Sequence, residues 1–295
     1  VVYIKTDIAG LFDLRGKTVA VSGAGGELCG VLSEALSAAG CNVALLDINF
    51  KAAKKREAAA DEAAAAASGH AGGKAKAFEC SVLDEKSLSE CCKAVVKEFG
   101  EIDALINGAG GNNPAGSTDS EFAEPEEVRR GAVKGFFDLT YDGFQKTFGL
   151  NFLGTFLPTK VFTRGMVERK AGGVINFSSM SALNPLTKVG AYSAAKAAVA
   201  NFTKWLAVHF SHAGVRVNAL APGFFMTEQL KFLHIDQTTG ELTPRAKQVI
   251  AHTPMGRYGD PEDLIGTVIW LLSDASSFVT GTVIPIDGGF SSYSI

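Results

Sequence analysis

The sequence lacks the features that would place it on nucleic acid or in a membrane. Its 28 Lys and Arg against 31 Asp and Glu leave a formal net charge of −3, so there is no basic surplus for a phosphate backbone. No uncharged apolar run reaches the roughly 20 residues that a membrane span needs. The first residues also lack the basic and then apolar pattern of a secretory signal. We therefore expect no nucleic-acid partner, no membrane partner and a cytoplasmic protein.

Cysteine is scarce, and its pattern excludes two further classes of protein. The five cysteines show no metal-ligand spacing, and their odd number argues against a closed disulfide framework. Free thiols in a reducing compartment explain them most simply. We accordingly predict no metal site.

Linkers rich in proline or serine are missing, as are internal repeats, and we therefore predict a single domain over residues 1–295. Within it, short β-rich runs alternate with longer helical stretches. The predicted strands are Lys17–Ser22, Asn42–Asp47, Ala75–Cys80, Ile102–Asn107, Gly173–Ser178, Val215–Leu220 and Thr282–Ile286. The predicted helices cover residues 27–39, 50–67, 85–99, 143–169, 191–212 and 261–273.

This alternation predicts an α/β fold: a doubly wound parallel sheet of about seven strands with helices on both faces. Two long stretches interrupt the pattern, namely a polar insert at residues 111–142 and a predicted substrate lid at residues 223–256. Both follow the carboxyl ends of predicted strands, where open α/β sheets bind their ligands.

A glycine-rich turn follows the first predicted strand and opens the first helix. It reads Ser22-Gly-Ala-Gly-Gly-Glu-Leu-Cys-Gly30. Glycine lets the backbone approach a pyrophosphate, and the helix N-terminus offers N–H donors and a positive dipole. An ordinary strand–helix turn would explain the same glycines, so this motif alone does not decide between the two.

Asp47 ends the second predicted strand, where a carboxylate can accept hydrogen bonds from an adenosine ribose and repel a 2′-phosphate. That role predicts NAD as cofactor, with NADH preferred over NADPH. The alternative role is to cap the next helix. Small residues at Asn107-Gly-Ala-Gly110 close the fourth strand and leave room for the adenine side of a cofactor, although a plain loop would also look like this.

Tyr192 and Lys196 lie four residues apart, so on a helix they share one face. A nearby ammonium lowers the pKa of a phenol from its usual value of roughly 10. A hydroxyl such as that of Ser179 can hold a substrate carbonyl oxygen against the phenol. The three side chains are therefore suited to moving a proton on or off an oxygen bonded to carbon.

Taken together, these motifs resemble the short-chain dehydrogenase/reductase family over nearly the whole chain. The matching motifs, in family order, are the glycine turn, Asn107-Gly-Ala-Gly110, Asn151, Ser179, Tyr192-x-x-x-Lys196, Pro222-Gly223 and Asp287-Gly288-Gly289. The resemblance implies a doubly wound sheet, a nicotinamide cofactor and a catalytic tetrad of Asn151, Ser179, Tyr192 and Lys196. Asn151 would hold a helix carbonyl and a water that feeds protons to Lys196.

The motifs and the resemblance together nominate a set of cofactor-binding residues. They are Gly23, Gly25, Gly26, Glu27, Leu28, Asp47, Ser81, Val82, Asn107, Gly108, Ala109, Gly110, Tyr192, Lys196, Pro222, Gly223, Phe225 and Thr227. The sequence departs from the family pattern at four of its positions. Ser22 replaces a threonine, Glu27 and Cys29 replace glycines, and Ser81 stands where the family tends to have aspartate.

Several further segments resemble the D-mannonate oxidoreductase (fructuronate reductase) branch of that family. They are Leu105–Asn112, Phe136–Leu139, Asn184–Lys188, Ala221–Phe225, Thr227–Gln229 and His252–Gly256. The implied reaction is the reversible reduction of the keto group of D-fructuronate by NADH to give D-mannonate. The substrate-binding candidates are Asn112, Asn113, Ser179, Lys188 and Gln229. Lys188 could pair a substrate carboxylate or be a solvated surface lysine.

Two other functions are compatible with much of the same pattern. One is reduction of another carbonyl, such as a ketogluconate or a 3-oxoacyl thioester, and the other is a non-catalytic nucleotide-binding regulatory protein. The acidic insert disfavours an acyl-carrier partner, and the complete tetrad disfavours loss of catalysis. Helices 143–169 and 191–212 carry apolar residues on more than one face, which together with the resemblance indicates a homotetramer.

Overall fold

The computed structural model describes residues 7–67 and 72–294. A seven-stranded sheet with the order β3-β2-β1-β4-β5-β6-β7 lies at its centre. All neighbouring strands are parallel, which confirms the predicted doubly wound α/β fold. The strands are Thr18–Ser22 (β1), Asn42–Asp47 (β2), Ala75–Glu79 (β3), Ala104–Asn107 (β4), Gly172–Phe177 (β5), Val215–Pro222 (β6) and Val283–Ile286 (β7).

Helices follow the strands and cover both faces of the sheet. They are Ile8–Leu11 (α1), Glu27–Ala38 (α2), Phe50–Ala66 (α3), Glu85–Phe99 (α4), Pro125–Arg130 (α5), Tyr141–Phe162 (α6), Arg164–Arg169 (α7), Gly190–Phe210 (α8), Glu228–His234 (α9), Pro244–His252 (α10) and Ile265–Leu272 (α11). Each helix in the described ranges is too short or too polar to cross a membrane.

Two hydrophobic cores lie on opposite faces of the sheet because successive strand residues point in opposite directions. Val19 and Val21 pack on one face with residues from α2 and α11. Ala20, which lies between them, packs on the other face with residues from α4, α6, α7 and α8. Burial on both faces explains why the strands are apolar without interruption.

The boundaries of two predicted helices were wrong. The predicted helix at 143–169 is two helices that meet at Thr163, whose hydroxyl donates to the carbonyl of Thr159 at 2.7 Å. Such back-bonding bends helices. The predicted helix at 261–273 begins as a 3₁₀ turn at Pro261–Leu264 and becomes α-helical only from Ile265.

The two irregular stretches contain local structure that the sequence analysis did not predict. In the insert, α5 starts at Pro125 and ends at Gly131, which adopts a left-handed φ of 58°. In the predicted lid, α9 and α10 are capped by the side chains of Thr227 and Thr243. The predicted lid therefore contains two short capped helices.

Candidate active site

A cleft of about 560 Å³ opens at the carboxyl ends of β1 and β4, the point where the strand order of the sheet reverses. Open α/β sheets bind ligands at such a reversal. Eleven of the predicted cofactor-binding residues line it: Gly23, Gly26, Glu27, Leu28, Asp47, Ser81, Val82, Gly108, Ala109, Gly110 and Thr227. The other lining residues are Cys29, Leu46, Ile48, Cys80, Leu83, Leu150 and Phe177.

The N-terminus of α2 faces this cleft without a side-chain cap, because its N-cap residue is Gly26. The first N–H groups of a helix have no intrahelical partner, and together with the helix dipole they attract anions. Uncapped donors beside a cleft of this size fit the pyrophosphate of a dinucleotide.

Glu27 replaces a family glycine at this helix start, and its carboxylate has a defined partner. Its Oε2 accepts a hydrogen bond from the backbone N–H of Glu228 at 2.8 Å, at the first residue of α9. Thr227, the residue before it, also lines the cleft. The glycine turn and the predicted lid are therefore joined by a direct hydrogen bond.

Asp47 is held at the cleft by two backbone donors. Its Oδ2 accepts from the N–H of Gly25 at 2.9 Å, and its Oδ1 accepts from the N–H of Asn49 at 2.8 Å. The cap of α3 is Asn49, whose side chain accepts from Ala52 at 3.1 Å. Because Asn49 fills the capping role, the carboxylate of Asp47 is fixed in the wall of the cleft instead.

The floor of the cleft depends on close contact between the two strand ends. The hydroxyl of Ser22 accepts from the N–H groups of Gly108 and Ala109 at 3.2 and 3.4 Å. A Cβ on Gly108 would lie 2.0 Å from the sulfur of Cys29. Cys29 thus fills the space beside Gly108, and burial raises the pKa of its thiol to about 12. In this way Ser22 and Cys29 support the turn despite departing from the family pattern.

The side chain of Asn107 lies beneath the cleft. Its Nδ2 donates to Thr159 at 2.8 Å and to Asn176 at 2.9 Å, so it joins β4 to α6 and β5. The Nδ2 of Asn176 in turn donates to Thr203 of α8 at 2.9 Å. A buried polar chain of this kind fixes the relative positions of the strands and helices that it connects.

The predicted catalytic side chains converge beside the cleft, between β5 and α8. The hydroxyl of Ser179 lies near the phenol of Tyr192 and acts to lower its pKa. The Nζ of Lys196 lies 5.6 Å from the centroid of the Tyr192 ring and donates to the carbonyl of Phe177 at 2.8 Å. Phe177 itself lines the cleft, so the two parts of the site share a wall.

Burial dominates the electrostatics of this pair. It raises the pKa of Tyr192 above its usual value, and the nearby hydroxyl of Ser179 offsets only part of that rise. Burial likewise lowers the pKa of Lys196 to about 8. Our expectation of a lowered phenol pKa was therefore wrong, because desolvation of the phenolate outweighs the lowering effect of Ser179.

Asn151 occupies the middle of α6 and hydrogen-bonds the backbone of the segment that follows β4. Its Nδ2 donates to the carbonyl of Gly111 at 2.8 Å, and its Oδ1 accepts from the N–H of Gly111 at 3.1 Å. A Cβ on Gly110 would lie 2.6 Å from this Oδ1 and 3.2 Å from the Nζ of Lys196. Asn151 and Lys196 thus approach the same point of the backbone.

Seven predicted cofactor-binding residues lie outside the lining of the cleft, and three of these, Pro222, Gly223 and Phe225, belong to the end of β6 and the segment after it. Pro222 ends β6, and the N–H of Gly223 donates to Ile286 at 2.9 Å. Phe225 is buried in a hydrophobic core, where its ring packs against Gly259. These residues shape the end of β6, and the ring of Phe225 faces protein.

Two of the substrate-binding candidates have local structural partners. The Oδ1 of Asn113 accepts from the N–H of Ala115 at 2.9 Å and so caps a 3₁₀ turn. The Nδ2 of Asn112 donates to the hydroxyl of Ser117 at 3.0 Å. Both asparagines are exposed.

Lys188 lies on the loop between Ser179 and Tyr192, with a left-handed φ of 73°. Its carbonyl accepts from the N–H of Thr118 at 2.9 Å, which ties this loop to the insert. The side chain of Gln229 lies outside the described residues.

A second cavity of about 600 Å³ lies between this loop, α10 and the C-terminal segment. Arg245 and Glu121 line it and form an ion pair at 2.9 Å. The sequence analysis missed Arg245 because it lies in an irregular stretch without a motif. The signal that could have found it is a lone arginine within the predicted lid.

The geometry agrees with comparisons to known proteins. A family model described as Enoyl-(Acyl carrier protein) reductase matches residues 29–291. This chain belongs to the short-chain dehydrogenase/reductase family. It is therefore an oxidoreductase, as the complete tetrad indicated.

Similar proteins cover almost the whole chain. An uncharacterized oxidoreductase of Haemophilus influenzae is 45% identical over 289 residues, which are 98% of each chain. The uncharacterized oxidoreductase UxuB of Bacillus subtilis is 46% identical over 283 residues, covering 96% of this chain and 97% of that one. A proposed D-mannonate oxidoreductase from Haemophilus influenzae, solved with bound NAD, is similar with a TM-score of 0.88 at 45% identity, covering 98% and 99% of the two chains.

Lys196 should reduce the stability of the folded chain at neutral pH. Its pKa falls from the ordinary 10.5 to about 8, so the folded state binds its proton less tightly than the unfolded state does. Lys196→Met should raise the free energy of unfolding at pH 7 by about 1–3 kcal/mol, since the lost bond to Phe177 offsets part of the gain. The advantage should shrink as the pH rises from about 8 to 10.5, because the wild type then loses its buried charge.

Urea unfolding at several pH values measures this effect. Lys204→Met, which removes an exposed lysine from the same helix, is the matched control and should change little. A destabilised Lys196→Met variant, or a gain that does not depend on pH, would contradict the interpretation.

Proposed function

We propose that this protein is an NAD-dependent oxidoreductase that interconverts D-fructuronate and D-mannonate. The observation that carries the oxidoreductase part is the convergence of Ser179, Tyr192 and Lys196 beside a cleft with an uncapped helix N-terminus. When bound there, a nicotinamide supplies or accepts a hydride. The residues of the chain then have to hold the substrate oxygen and move its proton.

Three of the four tetrad residues act on the substrate oxygen or its proton in this proposal. The hydroxyl of Ser179 and the phenol of Tyr192, which lie near each other, would together hold the substrate oxygen. In the direction of reduction, the phenolic proton passes to that oxygen, and in the reverse direction the phenolate takes it back. Because its pKa is raised, the phenol is protonated at neutral pH and its proton is available for transfer. Lys196, at 5.6 Å from the ring centroid, would stabilise the negative charge that then develops on the phenolate.

The sugar-acid substrate rests on two kinds of support. One is the similarity to the proposed D-mannonate oxidoreductase with bound NAD. The other is the polar character of the segments around the catalytic side chains, where Asn112, Asn113 and Lys188 are candidates to contact the substrate, with Gln229 proposed on sequence alone. A substrate rich in hydroxyl groups needs several polar partners, because each unmatched buried polar group costs roughly 1–3 kcal/mol.

A panel of carbonyl compounds tests the substrate directly. Purified enzyme should oxidise NADH faster with D-fructuronate than with ketogluconates, 3-oxoacyl thioesters or apolar ketones. Faster NADH oxidation with a ketogluconate than with D-fructuronate would indicate that the substrate is another sugar acid. A better rate with thioesters or apolar ketones would overturn the sugar-acid assignment, and no turnover with any carbonyl would favour a regulatory nucleotide-binding protein.

Tyr192→Phe should reduce turnover by about 10²–10⁴-fold, because only the transition state loses its proton donor. Cofactor affinity, measured by the quenching of tryptophan fluorescence on titration with NADH, should change little. Tyr141→Phe, which removes the hydroxyl of an exposed tyrosine, is the control. Near-normal turnover in Tyr192→Phe would show that another group donates the proton.

Asp47 should make the enzyme prefer NADH, with kcat/KM at least about tenfold higher than for NADPH, which corresponds to about 1.4 kcal/mol. The fixed carboxylate would face a 2′-phosphate without a counter-ion. Asp47→Asn should reduce the ratio of kcat/KM for NADH to kcat/KM for NADPH, mainly by raising kcat/KM for NADPH. Asp84→Asn is the control, because Asp84 caps α4 and does not line the cleft. Equal use of both cofactors by the wild type would contradict this role.

We further propose a homotetramer built on the outer faces of α6 and α8. Half-buried and exposed rings form a continuous row, with the ring centroids of Phe148 and Phe152 5.8 Å apart and those of Phe202 and Trp205 6.0 Å apart. Trp205 is 57% exposed, and apolar patches of this size usually mark interfaces.

Sedimentation or light scattering at micromolar concentration should give the mass of four chains, and Trp205→Glu should dissociate them. Phe122→Glu, which changes an exposed ring in the insert, should have no effect on the mass. A monomeric wild type would overturn the assembly.

A further inference from the structure

We propose that Arg245 binds the carboxylate of the sugar-acid substrate, in the second cavity rather than at Lys188. The inference rests on the proposed function, which supplies the substrate class. It assigns the end of the substrate that is remote from the reacting carbonyl to a residue of the predicted lid.

The position of the cavity suits a substrate that reaches the catalytic side chains. One wall is the loop Asn184–Thr187, which lies in the chain between Ser179 and Tyr192. A second wall is Phe224, which follows Gly223 at the end of β6. The cavity therefore borders both segments that lead out of the catalytic region.

Arg245 offers a guanidinium group with free donors to this cavity. Its Nη1 contacts the carboxylate of Glu121 at 2.9 Å and the hydroxyl of Thr187 at 3.4 Å. Within residues 7–67 and 72–294, no hydrogen bond engages its Nη2 or Nε. The side chain is 35% exposed, so it is accessible to a ligand. A guanidinium group with two free N–H directions can bind a carboxylate through two parallel hydrogen bonds.

Glu121 occupies the place of a ligand carboxylate in the substrate-free chain. One oxygen of Glu121 forms the ion pair with Arg245, and the Glu121 side chain is 32% exposed. A substrate carboxylate can replace this single contact with a bidentate pair of hydrogen bonds to Arg245. The charge of Arg245 is therefore compensated by Glu121 until an anion enters. The pair disfavours a neutral sugar, because such a sugar has no carboxylate to replace Glu121 as the partner of Arg245.

The remaining lining can contact the polyol part of a sugar acid. Gln248 supplies an amide, and Thr187 supplies a hydroxyl. The ring of His252 packs at 4.6 Å from Phe290 and 5.2 Å from Tyr293, which gives an aromatic wall for the C–H faces of a sugar. Lys188 does not line this cavity, and its backbone is instead fixed to the insert.

The test compares D-fructuronate with D-fructose, the neutral analogue that has a primary alcohol in place of the carboxylate. Arg245→Gln should raise the KM for D-fructuronate by about 10- to 100-fold with little change in kcat, and leave the KM for D-fructose unchanged. Arg245→Lys should recover part of the loss. Glu121→Gln should lower the KM for D-fructuronate, because Arg245 then loses its competing carboxylate.

Lys247→Gln is the matched control, since it removes an exposed cation of α10 that does not line the cavity, and Lys188→Gln tests the competing assignment. A selective loss of D-fructuronate in Lys188→Gln, or an equal rise in both KM values in Arg245→Gln, would overturn the assignment of Arg245.

Calorimetric titration with D-mannonate separates this inference from the proposed function. If wild-type enzyme turns over no hexuronate but binds D-mannonate, and Arg245→Gln abolishes that binding, the proposed reaction fails and the anion site stands. If the wild type does not bind D-mannonate, the anion site fails as well.

Discussion

The parallel pairing of β1 with β4 at the centre of the sheet is the constraint on which the site depends. The connection from β1 leads to β2 on one side, and the connection from β4 leads to β5 on the other. The segments after these strands therefore separate and open a cleft, while Ser22 still holds Gly108 and Ala109 across the gap. Asp47 and the start of α2 reach the same edge because β2 is the other parallel neighbour of β1. A different strand order would disperse these groups.

Beneath that edge, polar side chains bind the layers together where hydrophobic packing alone would leave them free to slide. The chain from Thr159 through Asn107 and Asn176 to Thr203 connects two helices across two strands. Buried polar groups are costly unless they are paired, so this chain favours one arrangement of α6 and α8. That arrangement also places Asn151 and Lys196 around Gly110. The catalytic geometry is thus supported by groups that never touch a substrate.

The parts of the molecule that could be predicted from sequence are those with a local signature. The alternation of strands and helices predicted the sheet, and the spacing of Tyr192 and Lys196 predicted their shared helix face. The part played by Arg245 could not be predicted, because its partner Glu121 lies in the distant insert and only tertiary contact joins them. The prediction of a lowered pKa for the Tyr192 phenol was wrong for a similar reason, since burial is a property of the fold and not of a four-residue spacing.

The hydrogen bond between Glu27 and the N–H of Glu228 joins residues 201 positions apart. It couples the helix start at the cleft to the predicted lid. One partner belongs to the helix start that faces the cleft, and the other begins the first helix of the lid. By thermodynamic reciprocity, a dinucleotide that moves Glu27 changes the energy of the lid, and a moved lid changes dinucleotide affinity by the same factor. The bond therefore couples dinucleotide affinity to the position of α9 at the start of the predicted lid.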